Sequence, residues 1–135
     1  MIMAPVLFLV GLMAVELGRA FVQYDTLSYS IRNAARFVTV NAIEGTAGVV
    51  NITPAIAAQA RNLAVYGNAA GAGDPRLPGF RTNQVAVVDA GGSNIEVTAA
   101  YPYRPIIGAV LPVFGSEPVP LTFTMRIALT MRAIS

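Results

Sequence analysis

The chain has 135 residues, enough for one modest core, and is 55% hydrophobic with only 12% charged residues. Ordinary globular chains carry about 25% charged residues, so a surface this poor in charge implies cover by lipid or by other subunits. The formal net charge is +2, with no cysteine and no histidine, which excludes disulfides, thiol nucleophiles, imidazole bases and the usual zinc ligands.

All the cations are arginines, at positions 19, 32, 36, 61, 76, 81, 104, 126 and 132. They are dispersed, with no basic run and no interleaved aromatics, so the pattern gives no nucleic-acid footprint. A catalytic site has as little support. There is no Gly-x-Ser-x-Gly and no phosphate loop, the carboxylates are scattered, and no serine has a histidine partner. The expectation is a non-enzyme with no catalytic residues, no cofactor and no metal.

Residues 1–15, MIMAPVLFLVGLMAV, hold no charged or strongly polar side chain, and Glu16 and Arg19 interrupt the apolar run before it continues. Spanning roughly 30 Å of hydrocarbon takes about 20 apolar residues, whereas fifteen reach only about 22 Å. The segment spans if Glu16 and Arg19 are tolerated; three apart, they share one helical face and can partly neutralise each other. A secretory signal peptide fits less well, because no basic region precedes the run and no small-residue cleavage site closes it.

The pattern then passes into an amphipathic helix. Phe21, Tyr24, Leu27 or Ser28, Ile31, Ala35 and Val38 recur at spacings of three and four, with Asp25, Arg32, Asn33 and Arg36 mostly off that stripe. This predicts one helix over about 3–42, roughly 60 Å long, as a stalk (1–42, of which 1–23 is the membrane or filament-core part) carrying a head (43–135).

Gly45 and Gly48 punctuate its end. Thr53-Pro54 reads as an N-cap and first-turn proline, and Gly67 as the residue that closes a helix over about 54–66. GNAAGAGDPRLPG, residues 67–79, is loop. The period then changes to two: a strand over 84–89, a turn over 90–93 and a strand over 94–101. Residues 102–120 carry five prolines around IIGAVLPVF; the 102–114 part fits either an apolar patch for a neighbouring subunit or a cover for the sheet. From Leu121 the chain alternates, with Leu121, Phe123, Met125, Ile127 and Leu129 on one side and Thr122, Thr124, Arg126, Ala128 and Thr130 on the other, a long strand with one buried face. The predicted class is α+β: a long N-terminal helix, a second short helix, and a small three- to four-stranded antiparallel sheet within about 84–133, covered by the amphipathic half of the first helix.

A long apolar N-terminal helix whose second half packs under a small antiparallel sheet resembles a type IV pilin. APVLFLVGLMAVELGRAF, residues 4–21, resembles more narrowly the TadE-like pilins of the tight-adherence pilus system, with Pro5, about ten apolar residues, then Glu16-Leu17-Gly18-Arg19. Asn33-Ala34-Ala35-Arg36 resembles the same family's Asn-Ala-Ala-Arg segment, and LTFTMRIALTMRA at the end resembles its last strand. The resemblance implies a subunit of an extracellular type IV-like pilus. It would wait in the bacterial inner membrane and then assemble with copies of itself or with related pilins into a helical filament, without nucleic acid. It also implies a leader and a glutamate ahead of Met1, leaving Glu16 as the acidic group of this apolar stalk. A membrane-tethered pseudopilin or binding module that never polymerises is the alternative.

The candidate packing residues are Pro5, Phe8, Gly11, Leu12, Glu16, Gly18, Arg19, Phe21 and Tyr24. Glu16 and Arg19 read either as an ion pair buried among packed stalks or as the point where the helix leaves the bilayer, Arg19 reaching the headgroups. Pro5 lies in or near the first turn, where proline costs little. Gly11 and Gly18, seven apart, share a face and either permit close helix contact or are incidental. Tyr24 is an interfacial anchor, and Tyr29, Tyr101 and Tyr103 pack in core or hairpin. Asn51-Ile52-Thr53 fits a glycosylation sequon, a pattern common by chance.

Overall fold

The computed structural model describes residues 2–44, 49–104, 110–111, 119–120 and 123–133. Its first element is α1, Met3–Asn41, followed by β1 (Ile43–Glu44), β2 (Val49–Val50), α2 (Pro54–Tyr66), a short 3-10 turn (Thr82–Gln84), β3 (Val85–Gly91), β4 (Asn94–Tyr103), β5 (Val110–Leu111), β6 (Val119–Pro120) and β7 (Phe123–Arg132). The class is α+β, as the patterning predicts.

Local signals account for α2. The Thr53 hydroxyl accepts the Ile56 N–H at 3.3 Å, Pro54 occupies the first turn, where its missing donor is no loss, and Gly67 closes the helix at φ 80° with its N–H bonded to the Leu63 carbonyl. Gly67 is required twice over, because a Cβ there would also lie 2.5 Å from the Arg76 guanidinium. The loop that follows is tied down by Asn68, whose amide bridges Ala72 in both directions, and by the Arg76 N–H, which bonds the Val65 carbonyl at 2.8 Å.

The principal sheet has the order β3-β4-β7, antiparallel throughout. The β3–β4 turn is tighter than the sequence suggests. β3 runs on to Gly91, and only Gly92 and Ser93, at φ 59° and 64°, make the connection. Two central residues at positive φ are the geometry whose twist matches that of the flanking strands. A bulge between Asp89 and Gly91, where Asp89 Oδ1 accepts the Gly91 N–H at 2.8 Å, absorbs the extra residue. Two short ladders, β1–β2 and β5–β6, carry no clear sequence signal. Residues 105–109 and 112–118, with Leu121 and Thr122, lie outside the described residues, so the alternatives for the 102–114 stretch stay as they were.

The core lies between one face of this sheet and the two helices. α1 packs on β4 and β7, and α2 packs on α1 and β3. Leu27, Ile31, Ala34, Ala35 and Val38 of α1 meet Val85 and Val87, then Ile95, Val97, Ala99 and Tyr101, with Met125 from β7 and Ala60, Ala64 and Val65 from α2. From Met125 onward the alternation in β7 holds, with Met125 buried and Ile127, Leu129 and Met131 half-buried, while Arg126, Ala128 and Thr130 are exposed; Phe123, expected on the buried side, is 49% exposed.

Two details of α1 correct the sequence reading. Phe21 and Tyr24 do not lie on the buried stripe; they are 64% and 46% exposed, and Gln23 and Ser30 are buried instead. The face of α1 that packs therefore carries two polar side chains. Tyr29 is likewise exposed rather than in the core, its ring beneath the Arg76 guanidinium at 5.7 Å while the same arginine donates to Ser30 Oγ at 3.4 Å.

Candidate interface at the stalk and its junction with the head

The N-terminal part of α1 projects beyond the sheet. Met3, Val6, Leu7, Phe8, Val10, Met13, Val15 and Leu17 are exposed, Phe8 at 69%. The helix is long and apolar enough to cross a membrane, and only 11% of its most apolar 18-residue stretch is buried. That low burial separates it from an ordinary core helix, which passes the same test of length and composition but is covered by its own chain. Pro5 sits in the first turn, where it breaks no intrahelical bond. Leu12 is half-buried. A Cβ added at Gly11 or Gly18 would meet nothing within 4 Å, so those two notches in the helix surface face outward from this chain.

The stalk meets the head at Glu16, which is 8% exposed although everything before it is apolar. The Tyr103 hydroxyl, from the last residue of β4, donates to Glu16 Oε2 and lies 3.3 Å from the Glu16 carbonyl oxygen. One helical turn on, Arg19 donates from Nη1 to the Arg104 carbonyl at 2.9 Å, and its guanidinium lies 5.8 Å from the Tyr103 ring centroid. Phe123, the first residue of β7, packs at a tilt against that ring with centroids 5.0 Å apart. A carboxylate taken out of water needs a donor. Here the donor is a phenol fixed by its own ring packing, and a cation sits at the edge of the same cluster.

Burial pushes the Tyr103 hydroxyl above its ordinary pKa, and the Glu16 hydrogen bond and negative charge add to this, with Arg19 partly opposing. Tyr101 is also raised, by burial against the opposing charges of Arg19 and Arg104. Both tyrosines are therefore donors across the neutral range.

Beside this cluster an apolar groove of about 350 Å³ runs between Leu17, Phe21 and Tyr24 of α1 and Phe123 and Met125 of β7. It continues the exposed surface of the stalk onto the head.

Of the sequence candidates, Glu16 and Arg19 come together with the head, Phe21 and Tyr24 wall the groove, and Phe8, Gly11 and Gly18 stand on the uncovered helix. Tyr103 is what sequence reasoning missed, having placed it only in packing. A lone carboxylate in an apolar helix signals that a donor is needed, but the partner lies 87 residues away and no local pattern selects it from the tyrosines and arginines.

No curated protein and no solved structure matches the chain. Residues 1–36 match the family model described as TadE-like protein. That span covers the apolar stalk, the Glu16–Arg19 junction and the Asn33–Arg36 motif, and it fits a pilus-associated, pilin-like protein. Over its N-terminal 36 residues the chain is thus similar to the TadE-like family that its Glu-Leu-Gly-Arg and Asn-Ala-Ala-Arg motifs resemble.

Proposed function

We propose that the chain is a pilin-like structural subunit: its bare apolar helix first anchors it in the inner membrane and later packs against the stalks of other copies in a tight-adherence type filament. The observation that carries this reading is the contrast along α1, apolar and largely uncovered through Val15 and then, from Leu27, an integral part of the head's core. A helix exposed in this way needs lipid or other helices around it. Gly11 and Gly18 supply notches for close helix approach, and the groove beside Phe21 and Tyr24 extends the packing surface onto the head.

Transfer from lipid to filament gains packing rather than hydrophobic burial, because the helix is already out of water. Shape then matters more than apolar bulk. Shuffling residues 6–15 at constant composition should leave membrane insertion intact and abolish assembly. Glu16→Ala and Arg19→Ala should both lower filament yield without blocking insertion; wild-type yield in both would remove the junction from the assembly mechanism.

The first experiment is negative-stain microscopy of material sheared from cells, labelled for this chain. Label along filaments marks a main structural subunit, and sparse or terminal label a minor one. Retention of the chain in membranes, with none in sheared material, favours the second reading, a tethered pseudopilin or binding module of the assembly machine. One long apolar helix among the described residues, carrying a folded head, supports that reading as well.

A further inference from the structure

A second concavity lies at the same end of the head, of about 370 Å³ and mainly polar, between the loop at Pro78 and Gly79, the 3-10 turn, and the end of β4. Arg81 and Arg104 both line it and are both exposed, Asn83 and Gln84 add amide groups, and among the described residues no carboxylate lines it. Its walls are held in place. The Tyr101 hydroxyl donates to the Pro78 carbonyl at 2.7 Å, the Phe80 ring packs edge-on against Tyr101 at 5.6 Å, and Gln84 Oε1 accepts the Arg81 N–H at 2.9 Å. Two guanidinium groups and two amides around a preformed recess suit a tetrahedral oxyanion.

The position of the pocket selects the source of that oxyanion. β3 begins, β4 ends and β7 begins at the end of the head from which the stalk projects, and the Arg104 carbonyl is the group that holds Arg19 of α1. From Met3 to Arg19 the helix rises about 24 Å, against a hydrocarbon core of roughly 30 Å, which sets Arg19 and its neighbours in the headgroup layer. Phe21, Tyr24 and Phe123, all exposed beside it, are side chains of the kind that settle there. Basic side chains at that level attract anionic lipid.

We propose that the Arg81–Arg104 pocket binds the phosphate of an anionic phospholipid headgroup while the chain is membrane-anchored. The pocket would seat the base of the head on the bilayer and fix its orientation before assembly. This rests on the membrane-anchored stage of the reading above.

The test uses the full chain in detergent micelles, with lipid retention followed by native mass spectrometry during titration with phosphatidylglycerol, with phosphatidylcholine, and with inorganic phosphate. Flotation with phosphatidylcholine vesicles runs in parallel. Wild type should retain phosphatidylglycerol selectively, and R81Q/R104Q should weaken that retention by about 5- to 30-fold. R81K/R104K, which keeps the charge, should fall between them, and all three should float equally. The Arg104 carbonyl that bonds Arg19 is unchanged in both variants, and circular dichroism checks the fold. Equal phosphatidylglycerol retention by wild type and R81Q/R104Q overturns the proposal, as does equal retention of phosphatidylcholine by wild type. Displacement of the lipid by millimolar inorganic phosphate assigns the pocket to a soluble anion and overturns the lipid source. Failure of wild type to float brings down the membrane-anchored stage itself, whereas failure of the pocket alone leaves flotation intact.

Discussion

Tyr103 joins the two parts of the chain through one hydroxyl, and its titration gives a way to observe that junction. Its proton, like that of Tyr101, is held above the ordinary tyrosine value of 10.0 in the folded chain. As pH rises, an unfolded chain therefore releases these protons before the folded one does, and folding free energy declines once pH passes the unfolded value. Stability should be flat through neutrality and fall from about pH 10 upward. Tyr103→Phe removes one of the two contributing groups, so its alkaline slope should be shallower than that of wild type, while at neutral pH it should be less stable by about 1–3 kcal/mol for the buried carboxylate left without its phenol donor. Urea denaturation of the detergent-solubilised chain at a series of pH values measures both effects. An unchanged alkaline slope would show that the Tyr103 proton is not held above its ordinary value, by burial or by Glu16.

At the scale of elements, α1 is one continuous helix with two environments, and mutations should report which half they occupy. Leu27 is fully buried against the sheet, so Leu27→Ala should cost about 2–5 kcal/mol through lost transfer energy and the cavity left behind. Leu7, equally apolar, is 69% exposed, and Leu7→Ala should leave head stability within about 0.5 kcal/mol. Thermal unfolding of the two variants in one detergent separates them; equal losses would mean that the stalk, too, packs on its own head. α1 and α2 were legible in the sequence because each carries a local cause: a long apolar run passing into an amphipathic stripe for the first, the Thr53-Pro54 start and the Gly67 stop for the second. The three long strands, β3, β4 and β7, were legible from their period of two. What escaped was decided between elements. Gln23 and Ser30 are buried, Ser30 beside the Arg76 guanidinium of the loop after α2, whereas Phe21 and Tyr24, better core residues by type, stay exposed along the groove. The Tyr103–Glu16 bond was hidden for the same reason, since sequence shows the need for a donor but not which distant strand delivers it.

For the molecule as a whole, the second half of α1 is part of the head's core. Leu27, Ile31, Ala34, Ala35 and Val38 are each fully buried in the core shared with the sheet. Burying side chains of the size of Leu, Ile and Val is worth roughly 1.5–3 kcal/mol each, so those three alone approach the whole net stability of a domain, about 5–15 kcal/mol. A chain beginning at residue 43 would keep α2 and every strand yet lose one wall of its core, leaving the inner face of the sheet open to water. It should not fold. A chain beginning at residue 25 retains all five buried positions and discards the exposed apolar surface together with Glu16 and Arg19. It should fold to a soluble head with near-native α2 and sheet, less stable than the parent because Tyr103 and Phe123 lose the helix turn that meets them. Dispersed amide resonances and a cooperative melt are the expected signatures for the second fragment, and their absence for the first. Two folded fragments would show that α1 only leans on the head; two unfolded ones would mean that the Glu16–Tyr103 junction is part of the fold's minimum and not only the seam between its membrane-facing and water-facing parts.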